Sequence, residues 1–121
     1  MANDEFHRFN VEYTNPVTIV RLKDPKILDQ HIVVQLAEEL RTLVEEVKKS
    51  QLLLVMTEVK FLSSAALNNL VILNRHVAKH SGRIVLAELQ EPVREVFLYT
   101  GLNRLFTLVD SEAEGLQAFS S

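Results

Sequence analysis

Two adjacent serines, Ser63 and Ser64, stand between a strand-like apolar run, Gln51–Met56, and a helical pattern that starts at the serines themselves. A hydroxyl at a helix start has two uses. It accepts a hydrogen bond from the free backbone N–H groups of the first turn, as a plain cap. Alternatively it carries a phosphoryl group, because unpaired N–H groups and the helix dipole both favour an anion there. Asp29 stands before another helical pattern and has a similar pair of readings, cap or site residue. His76 and His80 fall one helical turn apart and could both reach one metal ion. No acid follows His76 in a H-E-x-x-H pattern, however, and no sure third ligand is visible. A catalytic serine would need a G-x-S-x-G elbow or a positioned base. Neither surrounds Ser63 or Ser64. The chain has three glycines, none in a G-x-G-x-x-G or Walker arrangement, so no nucleotide loop, cofactor or enzymatic activity is expected.

The chain that must position these groups has 121 residues, enough for one domain with a real core. Hydrophobic residues make up 47% and charged ones 24%, a globular composition. The net charge of −3 gives a nucleic-acid backbone no electrostatic attraction. Without cysteine there are no disulfides or thiolate metal sites, and a reducing cytosol is the simple reading. Met1–Glu5 lacks the basic and apolar regions of a signal peptide, and no apolar run reaches membrane-spanning length. The expectation is a cytoplasmic protein without membrane insertion.

Residues 1–8 are mostly polar and are expected to fray, with one domain over 9–121. Phe9, Val11 and Tyr13 alternate with polar residues, as in a half-buried strand. Thr14-Asn15-Pro16 is a turn, and Val17–Leu22 completes a hairpin. Lys23–Leu28 holds Asp24-Pro25 and reads as loop. After Asp29, the spacing of Ile32, Val33, Leu36, Leu40, Leu43, Val44 and Val47 predicts an amphipathic helix. Glu38, Glu39, Glu45 and Glu46 lie between the apolar positions, and Lys48 and Lys49 in the last turn. Gln51–Met56 is a strand covered on both faces. The next helix runs from about Ser64 to Ser81, with Leu67, Leu70, Val71, Asn74 and Val77 inward and Gly82 as its stop. Arg83–Leu89 is a strand, and Pro92 opens a helix with Val93, Val96 and Phe97 inward and Gly101 at its end. Leu105–Val109 is the last strand, and Ser111 to Glu114 is a capping box for a terminal helix.

The order is β-β-α-β-α-β-α-β-α, an α/β domain with a mixed sheet of about five strands and about four helices. Strands joined through single helices run parallel. Asp29 and Ser64, each at a strand-to-helix passage, then share one end of the sheet, where open α/β sheets meet ligands and partners. The helix after the serines has an odd outer face of Ala65, Asn68, Asn69, Ile72 and His76. Asparagine forms helices poorly, and an apolar Ile72 in that company suggests a small docking surface.

These residues resemble the STAS domain family of bacterial anti-sigma factor antagonists, over about Phe9 to Phe119. Lys26-Ile27-Leu28-Asp29 resembles the family's G-x-L-D before the first helix, and Val59 to Leu67 resembles V-x-F-x-D-S-S-G-L. Pro92 to Phe97 and Thr100 to Phe106 resemble the stretch through T-G-L-x-x-x-F. The resemblance implies a non-enzymatic regulator. Ser64, with Ser63 second, would be phosphorylated by an anti-sigma factor of histidine-kinase-like ATPase fold and restored by a serine phosphatase. Asp29, Ser63, Ala65, Asn68, Asn69 and Ile72 would meet the partner. This chain departs from the family pattern at Ser63, in place of Asp, at Ala66, in place of Gly, and at Val55, where an acid is frequent. The alternative implied is an unphosphorylated scaffold subunit of a signalling complex or a membrane lipid transporter.

Overall fold

Four consecutive buried side chains, Leu52 to Val55, demand cover on two faces. In the computed structural model, which describes residues 6–120, their strand is the middle of a five-stranded sheet. The sheet contains β1 (Phe9–Tyr13), β2 (Thr18–Leu22), β4 (Gln51–Val55), β6 (Arg83–Ala87) and β7 (Thr107–Val109), side by side in that order. β1 is antiparallel to β2, and every other pairing is parallel. The helices are α1 (Gln30–Glu45), α2 (Ser64–Lys79), α3 (Glu91–Tyr99) and α4 (Glu112–Ser120). The single α/β domain with a mixed sheet and four helices is as expected.

Each crossover moves one place in the same direction across the sheet. Right-handed connections therefore place α1, α2 and α3 on one face. Val20, Leu52, Leu54, Ile84 and Leu86 form the floor of that layer. The alternate residues Ile19, Leu53, Val55, Val85 and Ala87 point the other way and are covered by α4 through Leu116 and Phe119. Gly115 makes that cover close: a Cβ there would lie 2.4 Å from Leu53 Cδ1. Arg21 ties α4 to the sheet edge, 2.9 Å from Glu12 and 2.8 Å from Glu112. The hydrogen bond to Glu12, with the charge of Glu112 behind it, raises the guanidinium pKa further.

Several local expectations change. The sequence reading missed a second, two-stranded parallel sheet, β3 (Lys26–Ile27) with β5 (Phe61–Leu62). The supposed loop before Asp29 holds β3. Phe6, within the segment expected to fray, is buried and stacks on Phe9 with ring centroids 4.8 Å apart. The backbone N–H groups of His7 and Arg8 donate to the Glu39 carboxylate at 2.9 and 2.8 Å. Glu39, assigned to the polar face, is consequently buried, with its charge answered by backbone donors. Met1–Glu5 lie outside the described residues. Lys48 and Lys49 follow the end of α1 instead of occupying its last turn. Leu102–Arg104 forms a short 3-10 turn, so β7 starts at Thr107.

The stop of α2 also differs. Ser81, at φ 59°, takes the left-handed position, and Gly82 N donates to Val77 O at 2.7 Å. With Ser81 N bonded to Ala78 O, this is a Schellman motif. Gly82 serves a different need: a Cβ there would sit 2.2 Å from the Ser50 carbonyl oxygen. Opposite outcomes are expected at these neighbours in urea denaturation. Ser81→Gly relieves left-handed strain and stabilises by roughly 1 kcal/mol. Gly82→Ala forces backbone apart and costs about 1–3 kcal/mol.

Candidate functional site

The small β3–β5 sheet joins the entries of α1 and α2. Lys26 pairs with Phe61 and Ile27 with Leu62 in parallel register. Pro25 O accepts from both Lys60 N and Phe61 N, at 2.7 and 3.1 Å, and Ile27 O accepts from Ser63 N at 3.0 Å. Adjacent strands lie about 4.8 Å apart. Asp29, two residues past Ile27, and Ser64, two past Leu62, are thereby held side by side.

Each helix start is capped. Asp29 Oδ1 accepts from His31 N at 2.7 Å, and Ser63 Oγ accepts from Ala66 N at 3.1 Å. The two roles open to the serine pair therefore fall on different residues. Ser63 is half-buried and is the cap, whereas Ser64 is the first helical residue and is exposed. Ser64 Oγ has no hydrogen-bond partner among the described residues. No acidic side chain occupies the first turn of α1 or α2, and the Asp29 carboxylate caps α1. Lys26 and Lys60, both exposed, flank the pair on β3 and just before β5.

Ser64, Asn68 and Ile72 follow one another at four-residue spacing along α2, and all three are exposed. Ala65 is exposed beside them and Asn69 is half-buried. Ile72 keeps 46% of its surface open. The buried stripe of α2 is Ala66, Leu70, Leu73 and Val77, rotated slightly from the expected one. Leu67, Val71 and Asn74 are only half-buried at its flank. Missed by sequence reasoning are Leu28 and Phe61, each 49% exposed, next to Asp29 and on β5 respectively. Leu28 closes a stretch read as loop and Phe61 lies in the join before α2, so neither carried a periodic signal.

Val55, the position at which an acid is frequent in the resembled family, is buried against the α4 layer. His76 Nε2 contacts the Glu45 carboxylate of α1, and its ring lies 5.8 Å from that of His80. No group of three potential metal ligands occurs among the described residues. Among them, too, no helix is long and apolar enough to cross a membrane.

A model of the STAS domain matches residues 8–115. An anti-sigma factor antagonist from Mycobacterium paratuberculosis superposes with a TM-score of 0.81 at 22% identity, covering 93% of each chain. An anti-sigma-factor antagonist (STAS) domain protein from Planctomyces limnophilus gives 0.80 at 18% identity, over 93% of this chain and 98% of that one. The phosphorylated form of SpoIIAA, a Bacillus cell fate determinant, gives 0.70 at 20% identity, over 92% and 98%. At such identities the structural likeness establishes the fold.

The division between the serines is testable by stability alone. Ser63→Ala removes a cap and is expected to cost about 1 kcal/mol. Ser64→Ala touches no bonded group and is expected to change stability by less than about 0.5 kcal/mol. Chemical denaturation of both variants measures the difference.

Proposed function

This chain belongs to the STAS domain family, and from that premise we propose that it is an anti-sigma factor antagonist switched by phosphorylation of Ser64. It acts in the cytoplasm as a non-enzymatic binding domain. Its partner is an anti-sigma factor of histidine-kinase-like ATPase fold, which modifies Ser64; a serine phosphatase reverses the change. The carrying observation is an exposed Ser64 with no hydrogen-bond partner for its hydroxyl among the described residues, while Ser63 caps the helix beside it.

The chemistry follows from that division. A phosphate adds about −1.5 to −2 charge at neutral pH. At the first helical residue it meets free N–H groups and the positive end of the helix dipole. The domain accommodates it without losing its cap. A packed partner surface must instead desolvate it, and each 1.4 kcal/mol lost is about tenfold in affinity. Asp29, Ser63, Ala65, Asn68, Asn69 and Ile72 form the contact face in this reading, and Leu28 and Phe61 extend it with exposed apolar surface.

A second reading has its own support. Ser63 stands where the family motif has Asp, and Val55 is interior, so a kinase that reads those carboxylates has little to hold. The chain would then be an unswitched scaffold, in a signalling complex or a transporter.

Incubation with the cognate kinase and ATP, followed by mass spectrometry, separates the two. A single phosphate on Ser64, and partner affinity at least tenfold lower for Ser64→Asp than for Ser64→Ala, is the expected result. No modification at Ser63 or Ser64, together with unaltered binding by Ser64→Asp, would leave the scaffold reading.

A further inference from the structure

We infer that the cleft between α1 and α2 binds a small amphiphile with an anionic head, of the medium-chain carboxylate class. The cleft encloses about 400 Å³. Its apolar walls are Val33, Leu36 and Leu40 from α1 and Ala66, Leu70 and Leu73 from α2. Ala37 also lines it, and with Ala66 keeps it open where longer side chains would fill it.

The size argues against a peptide helix as occupant. A helix is about 10 Å across with a 5.4 Å pitch, so one turn would fill this volume. The shape suits a chain with a head at one end. Val33 lies near the start of α1 and Arg41 lies two turns on, a rise of about 12 Å. Arg41 lines the cleft, and among the described residues no carboxylate pairs with it. Glu45, one turn further along α1, is held by His76 of α2 instead. That contact, between two residues that also line the cleft, joins the helices at its far end, and Arg41 keeps its guanidinium without a carboxylate partner among the described residues. Two parallel N–H groups of a guanidinium match the two oxygens of a carboxylate. Asn69 adds an amide to the wall. The apolar length takes the alkyl chain and Arg41 takes the acid.

The inference does not depend on the Ser64 reading, since binding is measured on the unmodified chain without a partner. The test is calorimetric titration with decanoate below its micellar concentration, beside decanol and decyltrimethylammonium. Decanoate is expected to saturate one site and decyltrimethylammonium to bind at least tenfold more weakly. Arg41→Gln should weaken decanoate about tenfold and leave decanol unchanged. Ala37→Leu should abolish binding of both, and the milder Ala37→Val should weaken both, each with an unchanged circular dichroism spectrum. Absence of saturable decanoate binding would overturn the inference. So would equal binding of the three probes, or full binding by a folded Ala37→Leu chain.

Discussion

The candidate site depends on two residue pairs of backbone. β3 and β5 each contribute two residues, and their parallel pairing fixes the distance between the starts of α1 and α2. Without it the segments leaving β2 and β4 would be independent loops. Pro25 is suited to its part, because it has no N–H to satisfy and its carbonyl accepts from both Lys60 and Phe61. The bond from Ser63 N to Ile27 O then carries the pairing to the cap residue itself. A face built from two separate helix starts thus inherits the rigidity of a sheet.

The main sheet supplies the other constraint. Its strands advance in one direction, so three helices share a face and the opposite face would be bare. α4 covers that face, and Gly115 allows it to lie directly on Leu53. The layer that holds α1 and α2 is thereby free of any duty on the far side. On α2, Asn68 and Ile72 stay outward while Leu70 and Leu73 are buried.

Much of this was legible in the residues. Periodicity located the strands of the main sheet and the helices, and single-helix crossovers gave their direction. Asp29 was readable as a cap, and Ser63 and Ser64 as a helix start. What escaped notice depends on tertiary contact. Two-residue strands have no period to detect. Glu39 looks like any helical glutamate until the N-terminal segment brings His7 and Arg8 to it. Ser81 takes a left-handed conformation that glycine would adopt more easily, because the adjacent glycine is needed against Ser50. The assignment of one serine to the cap also required the backbone, since either residue could precede a helix.

That assignment gives the departures from the family motif a physical meaning. The motif's Asp falls at Ser63, and Ser and Asp are nearly equal as N-caps. The exchange therefore preserves the fold while removing a negative charge next to Ser64. Two unit charges 4 Å apart interact by about 1 kcal/mol in water and about 4 kcal/mol at a protein surface. A phosphate at Ser64 would be relieved of repulsion on that scale. Ala66 for Gly works in the same direction, because alanine inside a helix is favoured by about 1 kcal/mol. Ala66 is buried on the inner side of α2. Both changes strengthen or preserve the helix start, and both leave the exposed hydroxyl untouched. In the proposed switch the departures would thus bear on which kinase recognises Ser64, while the capacity of the helix start to hold an anion is retained.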